Sequence, residues 1–155
     1  MLHHRRNMKR YKHFMQSDKQ QPIDCGFCDV NQMAEIIEEN ATMRILKNRV
    51  PYDVFETLVV EDHLLIIPKA HKCDFGEFDE QENLDYMAFV ASYQDKNYNI
   101  YVRAPRSSTR SIKHIHSHLL LMPGRKLKSL LYLDKPYLVL HERRFSQLAD
   151  KIKKR

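Results

Sequence analysis

The sequence predicts an α+β fold, an antiparallel sheet of about five strands with helices packed on it. Segments rich in branched residues are divided by prolines into strand-length pieces, and two segments with helical apolar spacing lie among them. At 155 residues and 43% hydrophobic composition, the chain can bury one core but is short for two. We therefore expect one domain at residues 23–140, between a basic N-terminal arm at 1–22 and a basic C-terminal helix or tail at 141–155.

Two segments have the apolar spacing of helices. Residues 29–40 begin at Asp29, which can cap a short helix, and continue with apolar residues at helical intervals. These are Val30, Met33, Ala34 and Ile37. Residues 78–94 have acidic residues in their first turn, which suits the helix dipole. The predicted apolar face of this second helix consists of Leu84, Met87, Ala88 and Ala91.

The other apolar segments predict strands. Residues 42–48 and 56–71 are rich in branched side chains, and nearby prolines limit them to strand length. Residues 98–104 and 111–123 have the same character, and the polar link PRSSTR joins them. The order of these elements is typical of a sheet with helices on it, and no internal repeat is visible.

The segment SIKHIHSHLLLMPG, residues 111–124, has a histidine at every second position over part of its length. In a strand, His114, His116 and His118 would point to the same face, with neighbours roughly 6.6–6.8 Å apart. Burying imidazoles without hydrogen-bond partners would cost about 1–3 kcal/mol for each unsatisfied group, so burial implies a purpose. The alternative is an amphipathic strand with an exposed histidine face. The core residues would then be Ile115, Leu119 and Leu121.

The motif CGFC places Cys25 and Cys28 at metal-ligand spacing. Two more ligands would complete a tetrahedral site, and His63 or His71 with one histidine of the triplet are candidates. Cys73 could compete as a ligand because it lies next to His71. A reduced buried pair or a redox dithiol is the alternative. An odd cysteine count with one close pair argues against a secreted disulfide framework.

The net charge of +6 comes from the two ends of the chain. Residues 1–20 contain six Lys or Arg against one Asp, and residues 141–155 contain six against two acidic residues. Such ends are most often solvated, although they could contact nucleic acid. The sequence has no apolar run of about 18 residues and no signal-peptide core at its N-terminus. We therefore expect a cytoplasmic protein without membrane contact.

Together the motifs resemble the histidine-triad nucleotide-binding superfamily. The run HIHSHLL matches its HφHφHφφ signature, apart from Ser117 in the second φ place, and HLLIIPKAH is similar to its preceding strand. LKNRVP is similar to a segment where some members have a ribose-binding Asn. The resemblance covers about residues 25–124, and the order CxxC, PKxH, HxHxH is more specific than any one motif.

The resemblance implies a nucleotide hydrolase or nucleotidyltransferase that acts at the α-phosphorus, often as a homodimer. His116 would be the nucleophile that forms a nucleotidyl-imidazole intermediate, His118 would contact phosphate oxygens, and Asn48 would bind ribose hydroxyls. In the zinc-containing branches, the implied ligands are Cys25, Cys28, His71 and His114. Four protein ligands leave no position for a metal-bound water, so the zinc would be structural. The chemistry is consistent, because a free imidazole is mostly neutral near pH 7 and can act as a nucleophile.

The sequence departs from the family before the triplet. Many members have an Asn or Gln about thirteen residues before the nucleophile, and a Gly-Gln pair near the phosphate. This chain has Arg103, Thr109 and Arg110 there, while Ser111 matches the Ser or Thr that follows. Arginine suits phosphate oxygens, so we expect Arg103, Arg110 and Ser111 to bind an anionic substrate such as a polyphosphate or a sugar-phosphate ester. The alternative is that the two arginines form salt bridges in a loop without activity.

Two further functions fit the same residues. One is a catalytically silent nucleotide-binding module that a zinc ion stabilises. The other is a nucleic-acid-associated protein, in which the basic ends contact phosphates and the triad acts on an adenylated end. A turnover assay distinguishes the silent module from an enzyme. Salt-dependent binding to DNA or RNA would favour the nucleic-acid-associated protein.

Overall fold

The computed structural model describes residues 3–4, 25–29 and 35–126 of the chain. A 3-10 turn at Phe75–Glu77 precedes the helix α1, Glu80–Asp95. The strands are β1 (His3–His4), β2 (Ile36–Glu39), β3 (Met43–Lys47), β4 (Val54–Phe55), β5 (Leu58–Val59), β6 (Asp62–Pro68), β7 (Tyr98–Val102) and β8 (Ser117–Leu121). Apart from His3–His4, the predicted arm at 1–22 lies outside these ranges, as does the predicted C-terminal segment 141–155. No helix in the described ranges is long and apolar enough to cross a membrane.

The main sheet confirms the predicted architecture. Its five strands are arranged in the order β2-β3-β6-β8-β7, and each neighbouring pair is antiparallel. Strand β8 therefore lies between β6 and β7, where His118 is paired with Leu65 on one side and Tyr101 on the other. A second, small sheet has the order β1-β4-β5.

The helix predicted at residues 29–40 is wrong for its second half, which forms strand β2. Ile36 pairs with Leu46 and Glu39 pairs with Arg44, with a bulge between Ile36 and Glu38. The branched side chains at 36 and 37 suit a strand, and pairing with β3 supplies the backbone hydrogen bonds that a helix would have made internally. Residues 30–34 lie outside the described part of the chain.

Helix α1 confirms the helix predicted at 78–94, but it buries a different face. Its N-terminus is fixed by a capping box, in which the side chains of Asp79 and Glu82 accept hydrogen bonds from each other's backbone N–H. The rings of Phe89 and Tyr93 pack on the sheet, and all four residues of the predicted face are exposed. These are Leu84, Met87, Ala88 and Ala91. Phe89 and Tyr93 belong to the core cluster, and the half-buried Tyr86 and Val90 of the same helix pack against it, so this largely aromatic face turns inward.

The hairpin of β4 and β5 turns through Glu56 and Thr57, whose φ angles are 49° and 68°. Two consecutive left-handed residues are the signature of a type I′ turn, which suits the twist of a two-residue hairpin. Neither residue is glycine, so the turn is strained. The hairpin brings Phe55 against Tyr52 and Tyr101, beside the histidine face of the main sheet.

Candidate active site and metal centre

All three histidines of the triplet are buried. The exposed fractions are 0% for His114, 8% for His116 and 4% for His118, so the alternative of an exposed polar face is wrong. The strand is also shorter than predicted, because β8 begins at Ser117 and the first two histidines precede it. The backbone hydrogen bond from Ile115 N to Lys72 O, at 2.7 Å, holds this preceding segment in place.

The backbone fixes the tautomer of His114. Its Nε2 lies 3.0 Å from the carbonyl oxygen of Pro68, which can only accept a hydrogen bond, so Nε2 carries the proton and Nδ1 carries the lone pair. Nδ1 lies 3.4 Å from Cys25 Sγ and 3.5 Å from Cys28 Sγ. Burial, together with the nearby His71, lowers the pKa of His114 to about 4. The ring is therefore neutral at pH 7, as a metal ligand must be.

Four side chains form a cluster that can bind a metal ion, and they are the four implied by the resemblance. The ligand atoms of Cys25, Cys28, His71 and His114 all lie within 4.8 Å of one another. Cys28 Sγ is 3.2 Å from His71 Nδ1. In a tetrahedral zinc site with bonds of about 2.0–2.3 Å, neighbouring ligand atoms are roughly 3.3–3.8 Å apart. The contacts of 3.2, 3.4 and 3.5 Å among these atoms are close to that range, and the donor set of two Cys and two His suits zinc.

The other two candidate ligands lie outside this cluster. Cys73 Sγ is 3.9 Å from Nε2 of His71, the ring nitrogen opposite the one that contacts Cys28. His63 is in contact with His118 instead. Burial raises the pKa of the Cys25 thiol to about 11, so metal binding would have to displace its proton.

His116 has the opposite tautomer to His114. Its Nδ1 lies 2.9 Å from the carbonyl oxygen of His114 and must donate to it, so the lone pair is on Nε2. The ring edge of Phe27, from the CGFC loop, packs against His116 at a centroid distance of 5.4 Å. The ring of His118 is 5.1 Å away. The lone-pair nitrogen of His116 and the imidazole of His118 therefore belong to two neighbouring rings, both of them buried.

A chain of hydrogen bonds sets the tautomer of His118. The backbone N–H of Tyr52 donates to Nδ1 of His63 at 2.9 Å, which leaves the His63 proton on Nε2. His63 Nε2 lies 2.9 Å from His118 Nδ1 and donates to it. The proton of a neutral His118 is consequently on Nε2. Sequence reasoning considered His63 only as a metal ligand, because its pairing with His118 depends on the register of β6 and β8.

Asn48 contacts His63. Its Nδ2 is 3.0 Å from His63 Nε2 and 3.5 Å from His63 Nδ1. If Asn48 Nδ2 lay in the plane of the imidazole and bonded one ring nitrogen, it would be much farther from the other ring nitrogen. Because it is close to both nitrogens, the amide lies over the face of the ring. Its Oδ1 accepts a hydrogen bond from Val50 N at 2.9 Å. The predicted ribose contact of Asn48 stays a prediction.

Two tyrosines that the sequence did not single out enclose His118. Tyr52 and Tyr101 lie 5.5 Å and 5.8 Å from its ring centroid, and the Tyr101 ring is inclined by only 23°. Tyr52 is 2% exposed, and its backbone also orients His63. Tyr101 lies in the strand predicted at 98–104, but its pairing with His118 depends on a register that the sequence does not encode. Tyr52 lies in a loop that has no periodic pattern.

The two arginines occupy different surroundings. Arg103 donates to the Tyr52 hydroxyl at 2.7 Å and to the carbonyl of Thr109, and it lies over the Tyr101 ring at 6.0 Å. Arg110 instead donates to three backbone carbonyls, those of Cys73, Ile112 and Lys113. Ser111 is exposed. Arg103 is thus connected to His118 through the side chain of Tyr52. Arg110 instead lies between the segments that carry His71 and His114.

Comparison with known proteins gives similarity in structure alone. No protein-family model and no curated protein matches the chain. A hypothetical protein from Leishmania major is 14% identical, with 86% of this chain and 96% of that chain covered and a TM-score of 0.53. A histidine triad protein from Clostridium difficile is 18% identical (72% and 99% covered, TM-score 0.49), and a HIT family hydrolase from Clostridium thermocellum is 20% identical (71% and 100% covered, TM-score 0.49). The likeness is one of fold, and it agrees with the α+β architecture that the resemblance implied.

Proposed function

We propose that this protein is a nucleotide hydrolase or nucleotidyltransferase that acts at the α-phosphorus through His116. One observation carries the proposal: the His114 carbonyl holds the proton of His116 on Nδ1, so that Nε2 is the nitrogen with the lone pair that would attack phosphorus.

In the proposed reaction, the bond from His116 Nε2 to phosphorus forms as the bond from phosphorus to the leaving group breaks. The leaving group departs with the bonding electron pair. His118 donates a hydrogen bond from Nε2 to the leaving atom or to a phosphoryl oxygen, where negative charge grows. Water, or another acceptor in a transferase, then attacks the same phosphorus, and His116 recovers its lone pair. Covalent catalysis thus divides one displacement into two easier steps.

We propose zinc as the metal of the Cys25, Cys28, His71 and His114 cluster. Bound there, zinc would supply structural cross-linking, because four protein ligands leave no open position for water. His114 is two residues before the proposed nucleophile, so anchoring its ring also anchors the carbonyl that orients His116. The role of the cluster is to position the site.

Substrate contacts beyond the triad are proposed for Arg103, Asn48 and Ser111. Arg103 is a permanent cation whose hydrogen-bond partner, Tyr52, packs against His118. This favours a substrate with more than one phosphate, such as a dinucleoside polyphosphate or a nucleotide sugar. The predicted phosphate contact of Arg110 competes with its three carbonyl partners. Contact with nucleic acid through the basic ends also stays a prediction, because those segments lie outside the described residues.

A homodimer is proposed from the exposed face of α1. Leu84 and Met87 are 60% and 56% exposed, and they form a stripe with Ala88 and Ala91. Apolar side chains grouped in this way are typical of a protein interface. A second copy of the chain is the partner that the family resemblance implies.

A substrate screen with two proteins tests the proposed reaction. Nucleoside phosphoramidates, dinucleoside polyphosphates and nucleotide sugars are offered to the wild type and to His116→Ala. We expect turnover only by the wild type, and intact-protein mass spectrometry should show an acid-labile adduct of one nucleoside monophosphate. Turnover by His116→Ala at a near wild-type rate would refute the nucleophile. Binding of nucleotides without any turnover would favour the silent module.

A further inference from the structure

Arg110 connects the two segments that carry the histidine ligands of the proposed metal site. Its Nη2 donates to the carbonyl of Cys73 at 2.7 Å, two residues beyond His71. The same nitrogen also donates to the carbonyl of Lys113, the residue before His114. We infer that Arg110 is a positioning residue of the metal site, which holds the His71 segment against the His114 segment. This inference depends on the zinc of the proposed function.

The side-chain chemistry suits this role. Arg110 Nε donates to the carbonyl of Ile112 at 3.1 Å, so the planar guanidinium contacts backbone on both sides of the junction. A carbonyl can only accept, and arginine is the side chain that presents several donors in one rigid plane. Lysine would keep the charge but lose the fork, and glutamine would lose both the charge and most of the donors.

The His71 segment needs such an anchor. His71 and Cys28 are the exposed pair among the four candidate ligands, whereas Cys25 and His114 are buried. Beside Arg110, two hydrogen bonds join these segments: Ile115 N donates to Lys72 O at 2.7 Å, and His114 Nε2 donates to the carbonyl of Pro68 at 3.0 Å. On its other side, the His71 segment is held to the region before α1 by Cys73 N, which donates to a Glu77 carboxylate oxygen at 2.7 Å.

Arg103 shows what a substrate-facing arginine would look like by contrast. Its Nε is buried and has no hydrogen-bond partner among the described residues, and its Nη2 reaches Tyr52 beside the triad. Arg110 has carbonyl partners at Nε and Nη2, so a phosphate would have to displace backbone acceptors that join the two metal-binding segments. We therefore assign Arg103 to the proposed substrate site and Arg110 to the proposed metal site.

The test compares zinc affinity in Arg110→Gln and Arg106→Gln. Arg106 is an exposed arginine of the same loop and serves as the matched control. Zinc is titrated out of the full-length loaded protein with a competing chelator, and melting is measured with and without zinc. We expect Arg110→Gln to lower the affinity about 10- to 100-fold, the usual cost of losing a group that orients a ligand, and to narrow the gap between the two melting temperatures. Arg106→Gln should leave both unchanged.

Each outcome distinguishes the inference from the proposed function. A wild type that binds zinc tightly, with Arg110→Gln binding it equally well, overturns the role of Arg110 alone. Loss of polyphosphate binding with unchanged zinc affinity would make Arg110 a phosphate ligand instead. A wild type without zinc overturns the metal and this role together. If Arg110→Gln does not fold, Arg110→Lys is measured in its place, and wild-type zinc affinity in that variant counts against the inference.

Discussion

His63 Nε2 lies 2.9 Å from His118 Nδ1, and the backbone N–H of Tyr52 meets the other nitrogen of His63 at the same distance. Because an amide N–H can only donate, both neutral imidazoles are held in one tautomer. His118 therefore presents an N–H at Nε2, next to the ring of His116. The backbone N–H of Tyr52 therefore determines which nitrogen of His118 can donate a hydrogen bond in the proposed site.

Replacing His63 by Leu should separate substrates by their leaving groups. Without the His63 N–H that donates to its Nδ1, His118 can carry its proton on Nδ1 and would then have no N–H at Nε2. We expect kcat/KM to fall by about 100- to 10,000-fold for a nucleoside phosphoramidate with an alkylamine leaving group, but far less for a p-nitrophenyl nucleotide ester. His63→Gln is the matched control, since its amide can still donate. Equal losses on both substrates would indicate a merely structural role, and ¹⁵N NMR that placed the wild-type His118 proton on Nδ1 would contradict the tautomer.

Removing a metal ligand should cost stability as well as zinc. We expect Cys28→Ser to lower the melting temperature by about 10 °C or more, because metal binding contributes folding free energy and 1 kcal/mol corresponds to roughly 2–4 °C for a domain of this size. Cys73→Ser, outside the four-ligand cluster, should retain zinc and melt like the wild type. The measurements are elemental analysis and thermal unfolding with and without a chelator. Purified protein with less than about a tenth of an equivalent of zinc, and melting that a chelator does not change, would exclude the site.

Arg103→Gln should affect ligands according to their charge. The variant loses charge-assisted contacts, so we expect it to bind a nucleoside di- or triphosphate more weakly while the affinity for the monophosphate changes less. Calorimetry with the three nucleotides measures this, and Arg106→Gln is the control for loss of one positive charge from the same loop. Equal losses for all three ligands, in step with a lower melting temperature, would point to a structural role instead.

The exposed stripe of α1 should control the oligomeric state. We expect the double variant Leu84→Glu, Met87→Glu to be a monomer in sedimentation while the wild type is a dimer, because each copy would bury two new charges in the interface. Gln94→Glu adds a charge at an exposed position of the same helix and should stay dimeric. The concentration of about 100 μM is well above those at which specific complexes form, so a wild type that sediments as a monomer there would contradict the proposed homodimer.

Thr57→Gly should stabilise the protein. Thr57 has a φ of 68°, where a branched side chain costs about 1–2 kcal/mol, and the extra backbone entropy of glycine offsets roughly half of the gain. We expect the free energy of unfolding to rise by about 0.5–1 kcal/mol in urea denaturation. Thr57→Ala keeps a Cβ in the left-handed region and should give a smaller change. A loss of stability in the glycine variant would mean that the threonine side chain contributes more than its strain removes.

The sequence by itself determined the features that depend on neighbours along the chain. Alternation in the triplet predicted that His116 and His118 are neighbours, and their ring centroids are 5.1 Å apart although only His118 lies in β8. Branched residues predicted β3, β6 and β7. The acidic first turn predicted α1. The CxxC spacing marked a candidate metal site. In each case, the relevant residues are only a few positions apart, so local geometry and propensity are sufficient.

Only the tertiary structure decided which distant groups meet. The contact of Cys28 with His71 spans 43 residues, and that of His63 with His118 spans 55. The strand register and the packing of loops against the sheet create these contacts, and no periodic pattern encodes them. The same holds for β2, which pairs with β3, and for α1, whose aromatic face rather than its predicted apolar stripe packs on the sheet. The tautomers of the histidines also belong here, because the carbonyl of Pro68 and the N–H of Tyr52 reach them across the fold.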